Sequence, residues 1–238
     1  MLAPGACQTE GVNPLSEQPA SQRRRQLREA RLYLVCDAVD DAFLDAALRG
    51  GVDVVQLRCK RAGDETILTA GARFARLCAS HGALFIVNDR PDLAARLGAD
   101  GVHVGQDDMA VGAAREVVGP DCLVGLSTHT PQQIDAAARF RPDYIGVGPV
   151  HATPTKPGRP PVGLELVRYA AARAPVPWFA IGGIDTGHVA AVREAGAERI
   201  AVVRALTESG DPEAAARRLR GALAGQGRME QAGVGAQP

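Results

Sequence analysis

Short apolar runs alternate with amphipathic segments along most of the chain, and this alternation restricts the fold more than any other feature of the sequence. Runs rich in Val, Ile and Leu are typical of buried parallel strands. Segments rich in Ala, Leu and Arg follow these runs with the spacing of helices that bury one face. We predict eight strands, over Leu32–Cys36, Val52–Leu57, Leu84–Val87, Gly101–Val104, Cys122–Leu126, Tyr144–Val147, Trp178–Ile181 and Arg199–Val203.

Each predicted strand is followed by a predicted helix, over Asp41–Arg49, Glu65–Ser80, Pro91–Leu97, Ala110–Val118, Pro131–Arg139, Leu164–Ala174, Gly187–Ala195 and Asp211–Leu223. Eight such units in about 195 residues approach the lower end, about 200 residues, of the (β/α)8 barrel. An open doubly wound sheet is the alternative, and it usually carries a glycine-rich phosphate turn after its first strand. Here Asp37-Ala38-Val39-Asp40 follows that strand. We therefore predict an α/β fold, a single-domain TIM barrel over residues 29–224.

Both ends of the chain lack apolar periodicity. Residues 1–28 mix Pro, Gln, Ser and Gly and include the basic run Arg23-Arg24-Arg25, and residues 225–238 are rich in Gly, Gln and Ala. Segments of this kind bury too little apolar surface to become ordered. We predict a disordered N-terminal extension over residues 1–28 and a disordered C-terminal tail over residues 225–238.

Charge and cysteine usage exclude several classes of protein. Lys plus Arg and Asp plus Glu are each 27, so the net charge is zero, which argues against a nucleic-acid partner. No apolar run reaches the roughly 20 residues of a membrane span, and the N-terminus lacks a signal-peptide pattern. Five scattered cysteines without a CxxC pair are typical of reduced thiols. We expect a cytoplasmic protein with small-molecule partners; the sequence leaves open whether it forms a homo-oligomer.

Polar residues follow the second predicted strand, where a TIM barrel places its chemistry. Gln56, Arg58 and Lys60 fall on one side of an extended chain because side chains alternate. Two cations and an amide suit a multiply charged anion. Only two of the 27 basic residues are lysines, and Lys60 is one of them. The alternative is a solvated strand end with paired surface charges.

Carboxylates follow the next two strands. Asn88-Asp89 follows the third strand directly, and Asp107-Asp108 comes shortly after the fourth. Neighbouring strands lie about 4.8 Å apart, so carboxylates from their ends can converge on one Mg²⁺ ion, which commonly binds one or two carboxylates together with substrate phosphates. The alternative is that Asp89 and one of Asp107 and Asp108 cap helices.

The later loops offer groups for a second anion. Those suited to a phosphate follow strands six to eight: Thr153, Thr155 and Lys156, then Gly182-Gly183, then Val203-Arg204. The last two loops are the usual phosphate site of TIM barrels. Ser127 offers a hydroxyl after the fifth strand, whereas His103 and His151 are either acid–base groups or packed histidines. The residues therefore predict a diphosphate with Mg²⁺ and a monophosphate at one mouth, as in an enzyme that joins or rearranges phosphorylated small molecules.

At these positions the chain resembles the thiamine-phosphate synthase family, over roughly residues 30–220. Seven motifs carry the resemblance, in order along the chain: Gln56-Leu57-Arg58-x-Lys60, Val87-Asn88-Asp89, Gly105-Gln106-Asp107-Asp108, Gly125-Leu126-Ser127-Thr128-His129-Thr130, Gly146-Val147-Gly148-Pro149, Thr153-x-Thr155-Lys156 and Ile181-Gly182-Gly183-Ile184. Each motif is weak alone, but seven at corresponding barrel positions are specific.

The resemblance implies a Mg²⁺-dependent transferase of thiamine biosynthesis. Such an enzyme condenses 4-amino-2-methyl-5-hydroxymethylpyrimidine diphosphate with 4-methyl-5-(2-phosphooxyethyl)thiazole, giving thiamine phosphate and pyrophosphate. The family's reaction is regarded as dissociative, with a pyrimidine methylene cation that the thiazole nitrogen traps. That mechanism needs stabilisation of the leaving group more than it needs a base.

The resemblance also implies roles for individual residues. The residues that hold the pyrimidine diphosphate are Gln56, Arg58, Lys60, Asn88 and Lys156, with Ser127 nearby. The metal ligands are Asp89 and Asp108, and the residues that hold the thiazole phosphate are Thr153, Thr155, Gly183, Val203 and Arg204. Four of these are the predicted catalytic residues: Arg58, Lys60, Ser127 and Lys156.

The chain departs from the family at Cys59, where an acidic residue is common. Two other functions remain as alternatives: an isomerase similar to thiazole tautomerase, and a noncatalytic barrel that binds thiazole phosphate as a regulator. Neither needs the carboxylate pair or the diphosphate lysines, which this chain retains. Release of pyrophosphate separates the synthase from both alternatives.

Overall fold

The computed structural model describes residues 20–153 and 160–225, and it confirms the predicted TIM barrel. Eight parallel strands pair in chain order, and the last pairs with the first to close the barrel. The strands are β1 Leu32–Cys36, β2 Val54–Leu57, β3 Leu84–Asn88, β4 Gly101–Val104, β5 Leu123–Thr128, β6 Tyr144–Val147, β7 Trp178–Ile181 and β8 Ile200–Val202.

Helices surround the barrel and connect its strands. They are α1 Ala20–Glu29, α2 Asp41–Arg49, α3 Asp64–His81, α4 Pro91–Leu97, α5 Val111–Val118, α6 Pro131–Phe140, α7 Gly163–Arg173, α8 Val189–Glu194, α9 Arg204–Thr207 and α10 Pro212–Leu223. The sequence predicted all of these except α1 and α9, with ends within two residues. No helix among the described residues is both long and apolar enough to cross a membrane.

Local sequence signals account for where several helices begin and end. Thr130 accepts a hydrogen bond from the Gln133 N–H at 3.2 Å and so caps α6, a common role for a hydroxyl before proline. Asp211 caps α10 in the same way, through the Ala214 N–H at 2.9 Å. Gly98 ends α4 with φ 59°, a left-handed conformation that costs glycine little.

The first helix corrects the predicted N-terminal boundary. Residues 20–29 form α1, so a disordered extension over residues 1–28 is wrong for its last nine positions. Arg23, expected to be solvated, donates from Nε to Asp100 Oδ1 at 2.8 Å, and Leu27 is buried in the barrel interior. Asp100 and the interior residues around Leu27 are distant in sequence from α1, so the composition of residues 20–29 did not indicate these contacts. Residues 1–19 and 226–238 lie outside the described residues, where the prediction stays untested.

The barrel separates two apolar layers. The larger layer fills the space between the strands and the surrounding helices. The smaller lies inside the barrel and contains Leu27, Tyr33, Leu84, Tyr144 and Phe179 among its members. Because α1 supplies Leu27 from the amino-terminal side of the strands, that end is closed, and the opposite end is left for a pocket.

Candidate functional site

A pocket of about 250 Å³ opens at the carboxyl ends of the strands. Eight of the predicted site residues line it: Gln56, Arg58, Asn88, Ser127, Thr153, Gly183, Val203 and Arg204. They come from six different strand ends or following loops, which only barrel closure brings together. Lys60, Asp89 and Asp108 are not among the lining residues, and Thr155 and Lys156 lie outside the part of the chain that the structure describes.

Lys60 and Asp89 form an ion pair at the rim of this mouth. The Lys60 Nζ lies 3.0 Å from Asp89 Oδ2, and the side chains are 50% and 22% exposed. Strand β2 ends at Leu57, so the alternation that placed Lys60 beside Gln56 does not extend to it, and Lys60 faces the neighbouring loop instead. A predicted diphosphate ligand and a predicted metal ligand are thus adjacent.

The backbone holds Asp89 in an uncommon conformation. Its φ is 60°, in the left-handed region that few non-glycine residues adopt, and its N–H donates to the His103 carbonyl at 2.8 Å. A residue in this region costs free energy and persists only where the surrounding structure holds it. Such residues are found most often at functional sites. The conformation therefore supports a role for Asp89 beyond helix capping, and α4 indeed begins without a side-chain cap.

Arg90 fixes the loop that carries Asp89. Its guanidinium forms two hydrogen bonds with Asp64, at 2.6 and 2.9 Å, and two with Asp92, also at 2.6 and 2.9 Å. Hydrogen bonding to Arg90 lowers the pKa of both carboxyls. Because Asp64 begins α3, the guanidinium links the loop after β2, which carries Lys60, to the loop after β3.

The two aspartates after β4 behave differently from each other. Asp108 Oδ2 accepts the Gly105 N–H at 2.8 Å and closes the turn after the strand. Asp107 is exposed, and α5 begins at Val111 after Ala110 with no side-chain cap, so neither Asp107 nor Asp108 caps this helix and Asp107 faces solvent. Among the described residues, no group of three or more His, Cys, Asp or Glu side chains could hold a metal ion.

Close backbone packing shapes the side of the pocket formed by the loops after β6 and β7. Gly183 has φ 64°, and a Cβ at this position would lie 2.7 Å from the His151 Cβ. The His151 N–H donates to the Gly182 carbonyl at 3.0 Å, so the two loops are joined by main-chain bonding. Arg204, at the start of α9, adds a largely exposed guanidinium to the same mouth.

The floor of the pocket is a hydrogen-bonded chain inside the barrel. Gln56 Nε2 lies 2.7 Å from the Tyr33 hydroxyl, which lies 2.9 Å from the Tyr144 hydroxyl. That hydroxyl is 3.2 Å from His103 Nδ1, and His103 Nε2 is 2.9 Å from Ser127 Oγ. His103 is packed and hydrogen-bonded, with 9% of the residue exposed. Sequence reasoning missed both tyrosines because they occur inside apolar strands, without a polar motif.

Two further sequence features lie beside the pocket. The His151 ring stacks on His188 with centroids 4.3 Å apart, and burial, reinforced by His188, lowers the pKa of His151. Cys59, the departure from the family pattern, is buried on the helix-facing side of the barrel. Burial and a hydrogen bond to Asp37 raise the pKa of its thiol to about 12, so this cysteine stays protonated and is a poor nucleophile.

Comparisons with known proteins agree with this geometry. A sequence model of the family described as thiamine monophosphate synthase matches residues 32–206. The chain is 47% identical over 207 residues to a thiamine-phosphate synthase of Thermosynechococcus vestitus, covering 86% of this chain and 59% of the relative. It therefore spans less than two thirds of that relative's length.

Two other comparisons cover almost the whole of the matched protein. A thiamine-phosphate synthase of Arthrobacter sp. (strain FB24) is 50% identical over 232 residues, with 83% of this chain and 95% of the relative covered. The solved structure of a thiamine phosphate pyrophosphorylase from Pyrococcus furiosus superposes with a TM-score of 0.77 at 30% identity, and covers 84% of this chain and 98% of that one. The matched part of this chain thus extends over almost the whole length of both of these proteins.

Proposed function

Because the chain belongs to the thiamine monophosphate synthase family, we propose that it is a transferase that forms thiamine phosphate. It joins 4-amino-2-methyl-5-hydroxymethylpyrimidine diphosphate to 4-methyl-5-(2-phosphooxyethyl)thiazole and releases pyrophosphate. The observation that carries this proposal is the pocket at the barrel mouth, which gathers eight residues that the resemblance assigns to the two substrates. Both substrates are water-soluble metabolites, and we place the reaction in the cytoplasm.

The bond between the pyrimidine methylene carbon and the diphosphate oxygen breaks with both electrons going to oxygen. The site therefore has to stabilise negative charge on the leaving group. Arg58 lines the pocket with a planar fork that matches phosphate oxygens, and Asn88 contributes an amide from the end of the adjacent strand. Lys60 adds a compact ammonium at the rim, and Lys156 is assigned to the same diphosphate by resemblance.

The thiazole nitrogen donates its lone pair to the methylene carbon, forming the new carbon–nitrogen bond. The protein's task at this step is to hold the thiazole by its phosphate so that the nitrogen faces the carbon. Thr153, the Gly183 backbone and Arg204 line the side of the pocket where this phosphate would bind. Val203 borders it, and Thr155 is assigned to the same phosphate by resemblance.

The family resemblance implies Mg²⁺, and the side chains present fit that ion. Asp89 and Asp108 offer carboxylate oxygens from the loops after two adjacent strands, and one or two carboxylates with substrate phosphates and water are the usual ligands of Mg²⁺. One Asp108 oxygen already accepts the Gly105 N–H, which orients the carboxylate. When bound, the ion neutralises charge on the diphosphate. The Lys60 ammonium lies beside the same Asp89 carboxylate.

A pyrophosphate-release assay tests the proposed reaction. The purified full-length chain, supplied with Mg²⁺ and both substrates, should release pyrophosphate and form an equal amount of thiamine phosphate, measured by mass spectrometry. Reactions that lack either substrate serve as controls. An isomerase or a regulatory barrel would bind the thiazole phosphate without releasing pyrophosphate, and that result would refute the proposed function.

A further inference from the structure

The five side chains on the pocket floor form one continuous path across the barrel interior. We call Gln56, Tyr33, Tyr144, His103 and Ser127, in this order, the interior chain. Its four links measure 2.7, 2.9, 3.2 and 2.9 Å, and its first four members are at least 91% buried. All five members border the pocket, and Gln56 and Ser127 are the two ends of the path. A ligand on the floor therefore meets the two ends of one hydrogen-bonded path.

Counting protons gives this path a direction. The Gln56 nitrogen can only donate, so the Tyr33 oxygen accepts from it. Among the described residues, the Tyr33 O–H has no acceptor other than the Tyr144 oxygen, so it donates there. Tyr144 in turn donates to His103 Nδ1. The opposite order would leave the Tyr33 O–H buried without an acceptor, which costs free energy.

The same count determines the Ser127 end of the interior chain. A His103 ring that accepts at Nδ1 carries its proton on Nε2 when neutral, and Nε2 then donates to Ser127 Oγ. Because Ser127 Oγ accepts this bond, its own hydroxyl proton is available to a ligand. At the other end, Tyr33 uses one of the two Gln56 N–H groups, so the second N–H and the carbonyl oxygen both remain for a ligand.

We propose that Tyr33 and Tyr144 are positioning residues that fix the Ser127 hydroxyl as a hydrogen-bond donor on the pocket floor. This proposal rests on the proposed function only for its effect on turnover. This arrangement favours ligands that present an acceptor to Ser127. Tyr33 and Tyr144 act through His103, whose Nε2 proton fixes the direction of the Ser127 hydroxyl.

Two other observations support a path of fixed polarity. Burial raises the pKa of both tyrosines, so each keeps the proton that the path requires. Gly125 in β5 leaves the space for the central link, because a Cβ there would lie 2.2 Å from Tyr144 Cζ and 2.5 Å from His103 Nδ1. A side chain at residue 125 would therefore separate the two groups without removing either.

Nitrogen NMR of the ligand-free full-length chain, labelled with ¹⁵N-histidine, tests the polarity directly. We expect His103 to show a protonated Nε2 and an unprotonated Nδ1. In Tyr144→Phe the acceptor at Nδ1 loses its donor, and in Gly125→Ala the two groups are pushed apart, so both variants should show a mixture of tautomers. A His103 in the wild type that is protonated at Nδ1 would overturn the proposal, whether or not the chain makes thiamine phosphate.

Steady-state kinetics test the consequence for the ligand. Tyr144→Phe should lower kcat/KM for the pyrimidine diphosphate about tenfold, the size expected for one hydrogen bond, with KM for the thiazole phosphate unchanged. Tyr169→Phe is the matched control, because the Tyr169 hydroxyl is exposed and bonds Asp135 on the outer helices. If Tyr144→Phe keeps wild-type kcat/KM, or lowers it only in proportion to lost folded protein, the positioning role is refuted.

Discussion

The two ends of the barrel use charged side chains in opposite ways. At the base, Arg23 and Asp100 are 10% and 12% exposed, and Asp100 also accepts the Phe85 N–H at 2.9 Å. At the mouth, the Lys60–Asp89 pair is 50% and 22% exposed. The ion pairs of Arg90 with Asp64 and Asp92 are exposed as well. The base thus buries matched charge, whereas the mouth keeps its charge in contact with water.

This difference predicts that the base of the barrel contributes to stability and the mouth to activity. A buried pair is costly to break, because the remaining partner is left charged in a medium that solvates it poorly. An exposed ion pair contributes about 0–1 kcal/mol to stability. Either member can therefore leave its partner and bind a ligand at little cost in free energy. We therefore expect substitutions at the base to lower the free energy of unfolding, and substitutions at the mouth to lower turnover.

The largest expected effect comes from removing α1. A chain that begins at residue 29 loses Leu27 from the barrel interior and leaves Asp100 without Arg23. The free energy of unfolding should fall by about 5 kcal/mol, from about 2 for the leucine and about 3 for the stranded carboxylate. Urea denaturation of the truncated and full-length chains measures this. A change below about 1 kcal/mol would show that α1 does not stabilise the barrel.

A single substitution at the base should have the next largest effect. Arg23→Met keeps apolar volume but strands Asp100, and should cost about 3–4 kcal/mol of stability while the folded fraction keeps its turnover. Arg90→Met, the control at the mouth, breaks exposed pairs and should cost less than about 1 kcal/mol. Equal losses of stability in the two variants would contradict the contrast between base and mouth.

Substitution of three aspartates at the mouth tests which of them bind the metal. Asp89→Ala and Asp108→Ala should each reduce pyrophosphate release about a hundredfold, equivalent to about 2.7 kcal/mol in activation free energy, because each removes an oxygen that would hold Mg²⁺. Asp107→Ala should leave release nearly unchanged, since Asp107 is exposed and caps no helix. The measurement is turnover against Mg²⁺ concentration; a raised Mg²⁺ requirement in Asp107→Ala alone would reverse the assignment.

The smallest effect is expected when a lysine is replaced by arginine, which keeps the charge but changes the shape of the cation. Lys60→Arg and Lys156→Arg should each lower turnover about tenfold, because a planar fork does not replace a compact ammonium, and stability should be unaffected. Initial rates and melting temperatures of both variants, compared with the exposed control Arg139→Lys, provide the check. Wild-type rates in both would identify these lysines as ordinary surface cations.

Much of the mouth could be predicted from the sequence because its parts follow strand ends. The strands β1, β4, β6 and β7 coincide with the predicted residues, and eight site residues lie around one pocket as expected. Lys60 does not line the pocket with Gln56 and Arg58 as predicted, because β2 ends three residues before it and side chains alternate only along a strand. The capping alternative for Asp107 and Asp108 fails because α5 begins only at Val111, too far along the chain for either to act as its cap.

The sequence by itself determined the barrel and the order of its functional loops, because burial in a parallel strand or on one face of a helix imposes a local period on the chain. Only the tertiary structure decided which distant groups became partners. Arg23 and Asp100 are 77 residues apart, and Tyr33 and Tyr144 are 111 apart. A local pattern records that a residue is buried, but closure of the barrel selects its neighbour. The ordered α1 and the interior chain therefore emerged only from the fold.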